Sequence, residues 1–316
     1  MEITILDLES LVRNNDIDFS AFEKLGHVNY YDVLPKLDAA KKCINSDAVI
    51  VNKTIVDKEF LDIAKNLKYV GLFATGYNNI DLVETKRKNI VCCNVPHYSS
   101  YSVAQFVFSY ILAFSNSLIE YNNSVHNGDW IKSKNFCYFP YEITELKGKT
   151  IGIIGYGSIG QQVAKLAKAF EMNVLVSTRS EPSDGTKNNS IEYVFSNSDF
   201  VTIHTPLTKN TENMVNMDLL KLMKRNAVLI NCSRGGVICE NDLAYALNND
   251  LIKGAAVDVV SKEPMLETNP LLKAKNMIFT PHVAWGGRET RQRLINMAAD
   301  NLEHFINNSC INVVNK

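Results

Sequence analysis

Short apolar runs alternate with segments of helical period along most of the chain. In the first hundred residues, ITIL (3–6), HVNYY (27–31), AVIV (48–51), YVGLF (69–73) and IVCC (90–93) have the length and side chains of buried strands. Between them, DKEFLDIAKNLK (57–68) sets Phe60, Leu61, Ala64 and Leu67 on one helical face. The most apolar stretch, VAQFVFSYILAF (103–114), predicts a buried helix over about 101–120. A polar and aromatic segment, 121–147, follows, and a second alternating series begins at Thr150. Its strands are expected near 150–154, 173–177, 200–204, 227–231, 255–259 and 277–280. SEPSDGTKNNS (180–190) reads as an exposed loop. A last helix sets Ile295, Ala298, Ala299, Leu302, Phe305 and Ile306 on one face. Such alternation predicts parallel sheets covered by helices on both faces. A chain of 316 residues calls for two such domains rather than one small core.

Charge and cysteine usage narrow the function classes. With 33 basic and 34 acidic residues, no basic stripe marks a nucleic-acid partner. The seven cysteines form neither a CxxC pair nor zinc-finger spacing, so no metal site is expected. Their odd number and the opening MEITILDLES, which lacks a signal-peptide pattern, point to reduced thiols in the cytoplasm. The apolar run at 103–114 is too short to span a bilayer, so no membrane partner is expected.

The chemistry starts at IGIIGYGSIGQQVAKLAKAF (151–170), a strand that passes through GxGxxG into a helix. Gly155 permits the tight turn, Gly157 lets the backbone approach a pyrophosphate, and Gly160 lets helix and sheet pack closely. Val163, Leu166, Ala167 and Phe170 keep helical spacing after the turn, so a helix N-terminus faces the phosphates. The next strand ends in Thr178, Arg179 and Ser180, where an acidic residue would bind a ribose 2′-hydroxyl. Hydroxyls and a guanidinium accommodate a 2′-phosphate instead, which favours NADP over NAD. The other reading has Arg179 stacked on adenine or turned to solvent.

Further stretches act together: FATGYNNID (73–81), NVPHYSSYSVAQ (94–105), LINCSRGGVICENDLAYAL (229–247), AAVDVVSKEP (255–264) and TPHVAWGGRETRQR (280–293). With the glycine turn they resemble the D-isomer-specific 2-hydroxyacid dehydrogenases, most closely the hydroxypyruvate reductase (glycerate dehydrogenase) branch. The resemblance implies two doubly wound α/β domains. A Rossmann-type dinucleotide-binding domain, residues 101–285, is inserted into a flavodoxin-like substrate domain, residues 1–100 and 286–316. That insertion explains why the glycine turn comes so late in the chain. The regulatory domain that many phosphoglycerate dehydrogenases carry after the last helix is not expected here, and the resemblance implies a homodimer formed through the helix at 101–120 and the segment after it.

Arg234 in SRGG, Glu263 in SKEP and His282 in TPH match the family's catalytic motifs. A permanently charged, planar guanidinium suits a 2-oxo acid's carboxylate and ketone. An imidazole supplies a proton near neutral pH, and a carboxylate beside it would stabilise the imidazolium and raise its pKa. That His282 and Glu263 touch is implied by the resemblance, as is convergence of all three beside the nicotinamide in a cleft between the domains. Ala74, Thr75 and Gly76 resemble the loop whose amides take the substrate carboxylate. Trp285 and, more weakly, Tyr98 match pocket positions, though a large aromatic can equally be packing. Tyr156, Ser158 and Ile159 belong to the pyrophosphate turn, and His204, Thr205 and Pro206 match the loop beneath the adenosine. Cys232, Ser233 and Asp258 match positions flanking the nicotinamide, where Asp258 can accept from the carboxamide; Cys232 reads nearly as well as a small buried residue. The implied reaction is NAD(P)H-dependent reduction of hydroxypyruvate or glyoxylate to a D-2-hydroxy acid such as D-glycerate. Two alternatives remain: a D-lactate dehydrogenase acting on pyruvate, and a nucleotide-sensing, corepressor-like binding protein.

Overall fold

In the computed structural model, which describes residues 1–316, the chain forms two compact units. One is Met1–Ser99 with Gly286–Lys316; the other is the continuous stretch Ser100–Trp285. The first unit carries strands Glu2–Ile5 (β1), His27–Tyr30 (β2), Ala48–Val51 (β3), Tyr69–Leu72 (β4) and Val91–Cys93 (β5). All pair in parallel, in the order β2-β1-β3-β4-β5. β3 and β4 are buried at every position because helices cover both faces, which is why they read as unbroken apolar runs. The crossovers hold helices Ser20–Glu23 (α1), Lys36–Lys42 (α2), Lys58–Ile63 (α3) and Leu82–Arg87 (α4).

α3 is shorter than the helix expected over 57–68. Asp57 caps it by accepting from the Phe60 amide at 3.1 Å, and Ala64 leaves helical geometry with ψ 64°. Leu67 still reaches the same core from the turn beyond. The chain's last helix, Arg288–Ile306, buries Ile295, Ala298, Ala299 and Leu302 and rests Phe305 on Tyr69, with ring centroids 5.0 Å apart. Ile306 lies past that face and is exposed. Arg291 secures the helix by a two-pronged pair with Asp16, at 2.9 and 2.6 Å.

The strand order of this unit reverses between β1 and β3, the point where open α/β sheets present ligand crevices. Asp7, just past β1, is buried in the left-handed region with φ 63°. Its carboxylate accepts from the amides of Asn52, Lys53 and Thr54 at 2.7–2.9 Å, and from the Thr54 hydroxyl at 2.7 Å. Asn79 extends the tie by donating to the Thr54 carbonyl at 2.8 Å, which links the 74–79 turn to the end of β3.

The second unit opens with Ser100–Asn116 (α5) and Leu118–His126 (α6). The single helix expected over 101–120 breaks at Ser117, which takes φ 45° and bends the chain by 58°. The polar run Ser115-Asn116-Ser117 ends the apolar face there, and the Ser115 hydroxyl bonds back to the Ile111 carbonyl at 2.6 Å. No single helix is long and apolar enough to cross a membrane. Beyond α6, the segment 127–143 leaves Trp130, Ile131, Phe136 and Phe139 exposed; Phe136 keeps 90% of its surface open.

The sheet of this unit follows: Thr150–Ile154 (β6), helix Ser158–Ala169 (α7), Asn173–Ser177 (β7), helix Ile191–Asn197 (α8) and Phe200–Ile203 (β8). It continues through helix Met217–Leu220 (α9), Val228–Asn231 (β9), helix Glu240–Asn248 (α10), Gly254–Val257 (β10) and Met277–Phe279 (β11). All strands are parallel, in the order β11-β10-β9-β8-β6-β7. Only one strand, β7, lies outside β6, where the six-stranded dinucleotide fold with order 3-2-1-4-5-6 has two. Residues 180–190 make a loop instead of the missing strand, and the chain returns through α8 to pair β8 directly with β6. α5 and α7 share one core through Val103, Val107, Ile111, Val163 and Ala167.

Replacing Asp7 by alanine strands buried donors at the β1/β3 crevice and is expected to cost about 3 kcal/mol of stability. Urea unfolding of D7A against wild type measures this, and an undiminished midpoint would remove the tie from the account.

Candidate active site

The left-handed turn after β6 is built by Gly155, at φ 93°. A Cβ there would stand 2.6 Å from the His204 carbonyl oxygen, so the turn and the end of β8 are pressed together. Gly160 approaches the turn as closely, its missing Cβ falling 2.3 Å from the Gly155 carbonyl oxygen. At Gly157, by contrast, the space is open for 4 Å around. Ser158 and Ile159 form the first turn of α7, and no side chain caps that helix. Its first amides are therefore available to an anion.

Two buried polar atoms beside this turn have no partner: His204 Nδ1 and Thr205 Oγ1. His204 Nε2 lies 2.9 Å from the Thr202 hydroxyl, and burial holds the imidazole's pKa down to about 3, so the ring is neutral. Orphaned groups of this kind next to a glycine cradle fit a bound dinucleotide, which would supply what they lack. Pro206 follows them and is exposed.

At the end of β7, Thr178 is bracketed by Asn188, which accepts from its amide at 3.0 Å and donates to its carbonyl at 2.9 Å. Arg179 and Ser180 are exposed beyond it. The 181–188 loop is fastened a second time. The buried Tyr156 ring sends its hydroxyl to Asp184 Oδ2 at 2.9 Å, so Tyr156 faces this loop through its side chain.

On the other side of β6, the turn after β9 carries Cys232, Ser233 and Arg234. Asn231 shapes it: its side-chain oxygen accepts from the Ser233 amide at 2.9 Å and hydroxyl at 2.8 Å, and its amide donates to the Arg234 carbonyl at 2.9 Å. Cys232 is buried, which pushes its thiol's pKa well up, so it is an inert wall rather than a nucleophile. The Arg234 guanidinium is exposed and donates to the Ser233 carbonyl at 2.7 Å, with no carboxylate partner. Most of its five donors stay open to an incoming anion. Gly235 brings this turn against the next: a Cβ there would lie 1.8 Å from the Val260 carbonyl carbon. Glu240, at the start of α10, clamps that neighbouring turn by accepting from the Ser261 amide and hydroxyl, both at 2.7 Å.

Glu263 and His282 meet. His282 Nδ1 stands 2.7 Å from Glu263 Oε2, and the other carboxylate oxygen accepts from the Val260 amide at 3.3 Å. His282 itself has φ 56°, a strained setting for a residue with a Cβ. Asp258, at the end of β10, holds it there. The Asp258 carbonyl accepts from the His282 amide at 2.7 Å, and its carboxylate accepts from the amides of Val283 and Ala284 at 2.8 and 2.9 Å and from the Thr280 hydroxyl. Burial raises the carboxyl's pKa, and these donors oppose the rise. Asp258 was expected as an acceptor for a carboxamide; its first task here is to shape the histidine turn.

The remaining expected positions are placed as follows. Ala74 and Thr75 sit beyond β4, Ala74 accepting from the Val95 amide at 2.9 Å and Thr75 sending its hydroxyl to the Val95 carbonyl at 2.8 Å. Gly76 is half-buried next to them. Tyr98 is buried within the first unit, its carbonyl accepting from Arg293 at 2.7 Å, so it is a packed residue there. Trp285 is half-buried at the end of the second unit. Asn231, Glu240, Thr280 and Tyr110 were missed by sequence reasoning. Asn231 alone left a signal, as the one polar residue closing the apolar run VLIN.

Comparison with known proteins adds three findings. Residues 108–284 match the family model described as D-isomer specific 2-hydroxyacid dehydrogenase, NAD binding domain. A hydroxypyruvate reductase of Blautia hydrogenotrophica is 39% identical over the full length of both chains, and a glycerate dehydrogenase of Methylorubrum extorquens is 40% identical over 85% of each. Among solved structures, an acyclic imino acid reductase (Bsp5) in complex with NADPH and D-Arg superposes with a TM-score of 0.88 at 29% identity, covering 99% of this chain and all of that one.

Proposed function

Because this chain belongs to the family of D-isomer-specific 2-hydroxyacid dehydrogenases, we propose that it reduces hydroxypyruvate or glyoxylate to the D-2-hydroxy acid with NAD(P)H. The observation that carries the reading is the His282–Glu263 pair at 2.7 Å. Nδ1 of His282 is committed to Glu263, which leaves Nε2 as the position that delivers a proton to the carbonyl oxygen. Glu263 fixes the tautomer and orientation of the ring for that transfer. Arg234, free of any carboxylate, binds the substrate carboxylate and draws electron density from the adjacent ketone. In the first unit, Ala74, Thr75 and Gly76 are proposed to offer their amides to a substrate carboxylate, and in the second unit Trp285 is proposed as a pocket wall.

The dinucleotide would be held by the turn 155–160, by His204, Thr205 and Pro206, and by the turn at Cys232 and Ser233. When bound, its reduced nicotinamide supplies the hydride equivalent that reduces the carbonyl carbon. Asp258 keeps one carboxylate oxygen with a single donor, Ala284, so it can accept from a carboxamide as well. The exposed Arg179 and Ser180 favour a 2′-phosphate, and no carboxylate stands among residues 178–180 to repel it. The exposed apolar surface at Trp130, Ile131, Phe136 and Phe139 is of the kind that a second copy covers, and we read the enzyme as a homodimer through it. Its seven free cysteines are compatible with a reducing cytoplasm.

Cofactor oxidation followed at 340 nm is expected with hydroxypyruvate and glyoxylate ahead of pyruvate and phenylpyruvate. No oxidation with any of these acids would return the chain to the corepressor-like alternative. His282→Ala is expected to lower kcat by about 10²–10⁴-fold while leaving the NAD(P)H Kd within about twofold; an undiminished rate would sink the proton-donor role. Arg179→Asp should raise the KM for NADPH more than that for NADH, and equal effects would cancel the preference for NADP. The double variant Ile131→Asp, Phe136→Asp should elute as a monomer on size exclusion with light scattering. Unchanged mass would place the contact elsewhere.

A further inference from the structure

α5 reads as an apolar core helix, yet it buries two hydroxyl groups that face the His282 turn, those of Ser102 and Tyr110. The Tyr110 hydroxyl bonds Thr280 Oγ1, and Thr280 Oγ1 in turn bonds Asp258 Oδ1. Ser102 donates to the Ala284 carbonyl at 2.6 Å. The segment 280–284, with His282 at its centre, is thus held at both ends by α5 and in the middle by Asp258. We propose that Tyr110 is a positioning residue for His282, acting through Thr280 and Asp258. The inference rests on His282 being the proton donor assigned above.

The direction of the chain follows from counting protons. A carboxylate only accepts, so the single hydroxyl proton of Thr280 goes to Asp258. Tyr110 must then donate to Thr280. Burial raises the pKa of the phenol, so it remains a donor throughout the working range. The aromatic ring alone does not explain the residue. Phe106 packs edge-on against it at 6.2 Å between centroids, and a phenylalanine would fill the same space without burying a hydroxyl. The hydroxyl is there for Thr280. A histidine in the left-handed region persists only where its surroundings over-determine the backbone. The His282 side chain contributes a bond to Glu263, while the backbone on both sides of it depends on Asp258, Thr280 and Ser102. Without the phenol, Thr280 keeps only its bond to Asp258, and the turn loses its tie to α5 at this end, one of the bonds that fix where Nε2 points.

The test compares full-length wild type with Tyr110→Phe, Thr280→Val and Thr280→Ser. For Y110F, kcat with hydroxypyruvate is expected to fall about tenfold, the equivalent of one buried hydrogen bond. The substrate KM, and the NADH Kd read by nicotinamide fluorescence, should stay within about twofold. Amide hydrogen exchange, followed by mass spectrometry, should quicken in the peptide covering 280–284 and nowhere else in the unit. T280V should behave like Y110F, and T280S should recover most of the rate. Full kcat together with unchanged exchange in Y110F overturns the proposal. So does a loss shared among kcat, KM and Kd with exchange rising across the whole unit, which would make Tyr110 a general core residue. If wild type reduces no oxo acid, the assigned reaction fails, while the exchange data still decide: quickening confined to 280–284 supports the positioning role, and no change refutes it.

Discussion

The carboxylate of Asp258 is the group on which the geometry of the His282 turn, the proposed proton-donor site, depends. It is buried, it accepts from two amides and a hydroxyl, and its own carbonyl holds the His282 amide. Those bonds keep a side-chain-bearing residue at positive φ and aim an imidazole at Glu263 rather than at solvent. The first unit uses the same device. Asp7, just past β1, has a buried carboxylate saturated by three amides and a hydroxyl, and it lies at the switch point of its sheet, where a ligand crevice is expected. In both units an acidic side chain does the work that a ladder partner would do inside a sheet, because the chain beyond a strand end has donors and no neighbour to receive them.

Strands were legible because the sheets are covered on both sides, and apolar runs such as AVIV and FVTI therefore mark them to within a residue or two. Helix limits were harder to read. Nothing in DKEFLDIAKNLK says that the helix stops at Ile63, because Leu67 still enters the core from a turn. Strand order was invisible: pairing β8 directly with β6 is a tertiary outcome, and the runs of apolar residues are the same whichever neighbour they take.

For the site, glycines and charged residues in family motifs carried the reading, and neutral polar residues escaped it. Asn231 and Glu240 shape the turns around Arg234 and Val260 through amide contacts that no spacing rule describes. Tyr110 was hidden by its place in an apolar helix, where the hydroxyl of a tyrosine carries no signal until its partner is known. The loop after β7 shows the converse. Its composition marked it as exposed, yet Asn188 and Tyr156 fasten it at two points, so the residues following Thr178 are presented from a braced support.

The insertion also orders events during synthesis. Every strand and helix of the second unit lies between Ser100 and Trp285, so its core is complete once that stretch has left the ribosome. The first unit waits for its last helix, which brings Phe305 to Tyr69 and Arg291 to Asp16 across more than two hundred residues of chain. The unit begun first is therefore finished second, against the usual N-terminal-first sequence of folding on the ribosome. Until then, the nascent chain leaves one face of β4 waiting for its cover.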